Sequence, residues 1–238
     1  MRSLCGMLPL VMILTGALGA GPLAGQPMPE PIVYTLSFPD AAHHYVEVEA
    51  SFPTRGTDEL TLAMAVWTPG SYLVREYARH LEAVEAATPG GAPLPVGKVT
   101  KNRWRVELPT GAERPERVTV SYRVYAREMT VRTNFVDGSF ALLNGAPTFL
   151  TTVAALEGDP VAHVVEVVPP AGWSRVVSPL GTAPGTEPGE HRFVAADFDE
   201  LVDSPLYLGN APVHRFTVGG AEHLLVNEGE QDGVWDGP

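Results

Sequence analysis

The sequence predicts an all-β fold, a multi-stranded antiparallel sandwich of two packed sheets with one or two short helical turns. Three observations carry this expectation. With 24 glycines and 23 prolines among 238 residues, the chain holds too many breakers for long helices, because proline lacks an amide hydrogen and glycine costs backbone entropy. Apolar residues recur with a period of two, which sends one set of side chains to a core face. Turn-forming dipeptides separate these runs at short intervals.

The first segment, residues 1–21, reads as an export leader. Arg2 supplies a weak positive start, residues 8–18 are apolar but interrupted by Pro9 and Gly16, and Gly19 or Gly21 ends a small-residue cleavage site. The apolar run is too short and too broken for a membrane span. The single cysteine, Cys5, falls inside this leader, so a mature protein would depend on its core rather than on disulfides.

Residues 22–226 then read as one β domain. Val46, Val48 and Ala50 alternate with Tyr45, Glu47 and Glu49. Trp104, Val106 and Leu108 do the same against Arg103, Arg105 and Glu107, as do Val118, Val120, Tyr122 and Val124 against their polar neighbours. Each is the pattern of a half-buried strand. Residues 161–168 are apolar on both faces apart from His163 and Glu166, as in a strand between layers.

Residues 54–58 suit a turn between two strands, Asp137-Gly138 and Asn144-Gly145 suit tight hairpins, and Gly219-Gly220 separates the strands of a final hairpin over 212–226. Asp197 followed by Glu200, with Pro205 closing the segment, predicts one helical turn with a cap. Leu73, Tyr77, Leu81 and Val84 also have helical spacing, so residues 73–87 could form a helix or yield to a sheet. The Pro/Gly-rich stretches at 88–95 and 181–189 read as surface loops. Residues 227–238 are acidic and turn-rich, and read as the start of a linker.

The formal net charge of −12 and the scattered Lys and Arg residues exclude a nucleic-acid or anionic-membrane binder. Catalytic chemistry is equally hard to place. A zincin needs two histidines one helical turn apart with a glutamate beside the first, and no His-Glu-x-x-His occurs. His163-Val164-Val165-Glu166-Val167 lacks the second histidine and reads as a core strand. His43 and His44 would point to opposite sides of a strand, and His214 and His223 could only be diagonal neighbours across a hairpin. Ser71 follows Pro69-Gly70 and lacks the Gly-x-Ser-x-Gly setting of a hydrolase nucleophile. Glu47 and Glu49 share a solvated face with nothing to separate their proton affinities. Gly90-Gly91 and Gly219-Gly220 lack the context of a phosphate loop.

One stretch is more distinctive: Val66-Trp67-Thr68-Pro69-Gly70-Ser71-Tyr72-Leu73-Val74-Arg75-Glu76-Tyr77-Ala78-Arg79-His80. Pro69-Gly70 fits the two central positions of a type II turn, flanked by Trp67 and Tyr72. Trp104, Val131-Arg132-Thr133-Asn134, Leu143-Asn144-Gly145 and Phe198-Asp199-Glu200-Leu201-Val202-Asp203-Ser204-Pro205 follow in the chain. In this order the strings resemble the N-terminal domain of the glycyl-aminopeptidase-like zinc metallopeptidases, family sixty-one, whose members usually carry a PDZ domain.

The resemblance implies a non-catalytic β domain of an exported aminopeptidase, packed beside a downstream catalytic domain and framing the cleft for a peptide substrate. No cofactor is expected in this chain, and zinc is expected in a full-length enzyme. Trp67, Tyr72, Arg75 and Asn144 are the expected interdomain or substrate-facing residues, and the catalytic and PDZ domains of the same polypeptide are the expected partners. A rival reading is a free-standing secreted module that binds peptide or carbohydrate through Trp67, Tyr72 and Trp104; a structural relic is the third.

Overall fold

The computed structural model describes residues 30–68 and 73–229. The expected leader at 1–21, the Pro69-Gly70 turn, Ser71, Tyr72 and nearly all of the expected linker lie outside these residues. The chain opens with β1 (Ile32–Ser37), β2 (Tyr45–Pro53), β3 (Glu59–Met64), β4 (Leu81–Ala87) and β5 (Pro93–Leu94). It continues through β6 (Val96–Thr100), β7 (Arg103–Glu107), β8 (Arg117–Tyr125), β9 (Phe135–Val136) and β10 (Ala141–Leu143). After β11 (Leu150–Thr152) and the short helix α1 (Val153–Leu156) come β12 (His163–Val168), β13 (Arg175–Val177), β14 (Gly181–Thr182) and β15 (His191–Ala195). Helix α2 (Phe198–Asp203), β16 (Leu206–Gly209), β17 (Val213–Val218) and β18 (Ala221–Val226) complete the described elements.

The all-β expectation holds, and the layers are more divided than two sheets. An eight-stranded sheet runs β14-β15-β12-β1-β2-β8-β4-β5, beside two four-stranded sheets, β13-β16-β10-β9 and β11-β3-β7-β6. The hairpin β17-β18 forms a sheet of its own. Pairing is antiparallel except between β1 and β12, which run parallel with Tyr34 opposite Val165. An alternating pattern fixes which face is buried and leaves the direction of the partner open.

Alternation and register explain why the large sheet holds. Ile32, Tyr34 and Leu36 of β1, Val46, Val48, Ala50 and Phe52 of β2, and Val118, Val120, Tyr122 and Val124 of β8 are all buried. Ala50 lies opposite Tyr34 on one side and Val120 on the other, so the apolar rows stay in line across three strands. The opposite face is polar: Glu47, Arg123 and Glu82 form one row, with Arg123 and Glu82 at 2.8 Å.

Two buried tyrosines tie this sheet to the layer beneath. Tyr34 donates its hydroxyl to the Leu150 carbonyl at 2.8 Å. Tyr122 donates to the Thr148 carbonyl at 3.1 Å and accepts from the Leu150 amide at 3.0 Å. The backbone at 148–150 thus finds partners inside an apolar core, where an unpaired group would cost about 1–3 kcal/mol.

Of the two courses open to residues 73–87 the structure takes the sheet: Tyr77–His80 forms a 3-10 turn, and β4 pairs with β8. The open edge of β8 offers a full ladder of backbone partners, which outweighs the modest helix preference of alanine and glutamate. A register shift between Glu82 and Glu85, with Ala83 at φ 51°, absorbs the helical spacing as a bulge.

Asn144-Gly145 is not a tight hairpin, since Gly145 sits against the backbone of Leu201 and Val202 instead. Residues 88–95 and 181–189 include the short strands β5 and β14 rather than loop alone. Among the described residues the hairpin near the end pairs with no strand of a larger sheet. Gly219 and Gly220, at φ 57° and 84°, do make its expected two-residue turn. Asp137 caps its turn through the Ser139 and Phe140 amides.

Candidate functional site

The dispersed strings of the sequence meet in space. Helix α2 begins where the Asp197 carboxylate accepts the Glu200 amide at 2.9 Å and Glu200 reaches back to the Ala196 amide at 2.6 Å. It buries Phe198, Leu201 and Val202. Against it lies Gly145, whose absent side chain permits the approach: a Cβ there would stand 2.5 Å from the Leu201 carbonyl oxygen. Leu143-Asn144-Gly145 and the α2 string are therefore one contact.

Asn144 carries the contact onward. Its side-chain amide donates to the Thr133 carbonyl, and its backbone amide donates to the buried Asn134 side chain at 2.8 Å. Asn134 in turn donates to the Thr148 hydroxyl at 2.9 Å, and Thr148 donates to the Asn144 carbonyl at 2.6 Å. This closed network anchors the excursion that leaves β8. Ala126 faces Val136, Arg127 faces Phe135, and the Glu128 amide donates to the Asn134 carbonyl at 3.1 Å, so residues 126–136 form a narrow finger. Its tip exposes Met129, Val131 and Arg132.

The finger reaches the segment around Arg75. Arg79 pairs with Glu128 at 3.1 Å, and the Arg75 amide donates to the Val66 carbonyl at 2.7 Å, which closes the loop that carries Trp67. Glu76 pairs with Lys101 at 2.5 Å on the other side. Trp67 is 50% exposed, and Leu73 and Val74 are exposed more fully. Tyr77 is buried, and among the described residues neither its hydroxyl nor the buried Nε of Arg75 has a hydrogen-bond partner. Burial and the charge of Arg79 hold the His80 imidazole below its ordinary value.

Of the residues expected to face a partner, Trp67 and Arg75 thus share one loop, Asn144 is half-buried under the neighbouring finger, and Tyr72 lies outside the described residues. Sequence reasoning did not find Asn134 and Thr148 as parts of one network. The ordered string at 131–134 was a signal for Asn134 alone, because no spacing rule links residues fourteen positions apart through hydroxyl and amide groups. Trp104 is 4% exposed, with the Lys98 ammonium 4.7 Å from its ring centroid, so it offers no aromatic platform to a ligand.

Other places are less organised for chemistry. An open groove of about 600 Å³ is lined by Thr54, Arg55 and Arg114, and the Arg114 guanidinium is paired with Asp58. A second, of about 660 Å³, carries Glu49, Glu85 and Ser121 without a histidine. His163 is buried in β12, where Thr151 bonds its Nε2 at 3.1 Å and Tyr34 stacks at 6.0 Å. Desolvation first of all pushes its pKa down to about 4, so it is a neutral core residue. Among the described residues no group of three or more His, Cys, Asp or Glu is placed to hold a metal. The residues present do not fit a zinc centre.

Fold and face together define an all-β domain with an ordered polar network at the base of the 126–136 finger. The chain belongs to the peptidase M61 N-terminal domain family, whose model matches residues 33–210. Among solved structures it is similar to an aminopeptidase N family protein from Idiomarina loihiensis, with 27% identity and a TM-score of 0.72. That match covers 82% of this chain and 32% of the other, so the chain spans about a third of its relative's length. A zinc metallopeptidase of the M1 family from Deinococcus radiodurans, solved with a Tyr-Ser-Ala substrate, matches at 13% identity and a TM-score of 0.45, over 82% of this chain and 46% of that one. Yeast LTA4 hydrolase matches at 11% identity and 0.37, over 77% and 28%. No curated protein matches the chain. Among the described residues no helix is long and apolar enough to cross a membrane.

Proposed function

We propose that this chain is the non-catalytic N-terminal β domain of an exported zinc aminopeptidase, packing beside the catalytic domain and framing its substrate cleft. Membership of the M61 N-terminal family supports the reading, and one observation carries it to a surface. The 73–80 segment meets the 126–136 finger through Arg79 and Glu128, and exposed Leu73, Val74, Met129 and Val131 on these two segments would gain from being covered.

Trp67, Tyr72 and Arg75 are the side chains assigned to the cleft side, and Asn144 positions the finger. The peptide substrate, the zinc and the PDZ domain belong to the longer polypeptide. Residues 1–21 would direct its export to the periplasm or beyond the cell.

Reading the gene past Pro238 tests this. The proposal expects His-Glu-x-x-His on a helix and hydrolysis of glycine or alanine p-nitroanilide by the polypeptide that carries it. A stop codon with no such motif downstream would remove the enzyme reading.

A further inference from the structure

We infer that the hairpin β17–β18 belongs to the fold of the polypeptide that follows: its open edges take further β-strands from beyond Pro238, and the N-terminal β domain itself ends at β16. The inference rests on the reading that a catalytic domain follows. Three observations carry it. Among the described residues β17 and β18 pair only with each other, while every other strand joins a sheet of four or eight. None of their twelve residues is buried, whereas alternate residues of β8 are. The family model, matching residues 33–210, stops between β16 and β17.

The register shows what the ribbon lacks. Val213 faces Val226 on one side, with Leu224 two positions along, and Phe216 and Leu225 lie on the other. Apolar side chains therefore occupy both faces, the pattern of strands covered from two sides. Two strands cannot supply that cover, and a lone hairpin is marginal in water until a third strand or a packing layer is added. Its outward backbone groups form a template for strand addition.

The base of the ribbon is already held. The Tyr207 hydroxyl of β16 accepts the Ala211 amide at 2.9 Å, just before β17, and donates to the Glu228 carboxylate, just after β18. One phenol thus pins both ends to the β domain and leaves the rest of the ribbon to a partner.

Two facts favour the following polypeptide over a second copy of this chain as that partner. This chain spans about a third of the length of the aminopeptidase N family protein that it resembles. Only twelve residues separate Val226 from Pro238, so a segment beyond them stays near the ribbon at an effective concentration on the order of millimolar.

Hydrogen exchange on the 238-residue chain and on the polypeptide read past Pro238 tests this. In the 238-residue chain the amides of β17 and β18 should exchange at least about tenfold faster than those of β2 and β8, and Phe216→Ser should lower Tm by less than about 2 °C. A smaller difference in exchange, or a larger fall in Tm, means that the hairpin is already part of the N-terminal fold and overturns the inference. In the longer polypeptide the same amides should slow by at least about tenfold, and Phe216→Ser should undo the slowing. Exchange that stays fast there overturns the inference, as does a stop codon directly after Pro238. Slowing that grows with protein concentration overturns it in favour of a second copy. A following segment that protects the hairpin but lacks His-Glu-x-x-His would remove the enzyme reading and uphold this one, so the two failures are separable.

Discussion

Replacing Gly145 by alanine should unfasten the contact between two strings that lie far apart in sequence. A Cβ at this position would stand 2.5 Å from the Leu201 carbonyl oxygen and 2.7 Å from the Val202 Cα, up to about 0.9 Å inside ordinary van der Waals contact at 3.4 Å. Both opponents are backbone atoms, so no side-chain rotation relieves the clash, and α2 must move off the β10 end or the loop after it must open. Overpacking of a tight contact costs about 1–3 kcal/mol, and a backbone opponent puts this case near the upper end. For a domain of this size that is a fall in Tm of about 6–12 °C.

Differential scanning calorimetry on Gly145→Ala beside Gly138→Ala makes the comparison sharp. Gly138 has nothing within 4 Å of its virtual Cβ and no left-handed φ, so its alanine variant should be neutral or slightly stabilised through the unfolded state. Equal melting temperatures for the two variants would refute the claim that Gly145 is set by close approach.

Three further outcomes follow from the same coordinates. His163 has a folded-state pKa near 4 against an ordinary value of 6.5, so the unfolded chain takes up a proton that the folded chain refuses. The stability it contributes is present above pH 6.5 and is lost as pH falls through 6.5 toward 4, about 2 kcal/mol by pH 5. Urea midpoints at pH 7 and pH 5 should therefore diverge less in His163→Gln, and identical pH dependence would contradict the burial argument. Asn134→Ala leaves the Asn144 amide and the Thr148 hydroxyl short of a partner and should cost about 2–3 kcal/mol by chemical denaturation, with faster proteolysis at 127–133. Deleting residues 212–229 removes a hairpin that forms a separate sheet, so the shortened chain should sediment in the same oligomeric state as the full chain. Association that the full chain does not show would mean that the hairpin covers a sheet edge.

What the sequence made legible was the local part of the fold. The alternation in β2 and β8 identified the buried rows, Gly219-Gly220 identified a hairpin turn, and Asp197 with Glu200 identified the α2 cap, because each depends on residues within a few positions. β4 was obscured for the opposite reason. Its spacing at Leu73, Tyr77, Leu81 and Val84 satisfies a helix, and only the edge of β8, distant in the chain, decides for a bulged strand.

The parallel pairing of β1 with β12 and the close approach at Gly145 depend likewise on partners over fifty residues away. At the candidate face, the Trp67 to Arg75 loop was visible as a string of unusual residues. The network of Asn134, Asn144 and Thr148 exists only once residues 133–148 have folded back on one another.

Hydrogen exchange compares the central claim with experiment most directly, by measuring the 238-residue chain alone and the same residues within the longer, catalytic-domain-bearing polypeptide that the proposal expects. If this face packs against that domain, amides at 73–80 and 127–133 should exchange at least about tenfold more slowly in the longer polypeptide, while those of β2 and β8 stay as they are. Unchanged exchange at 73–80 and 127–133, with new protection elsewhere, would place the partner on another surface and contradict the account.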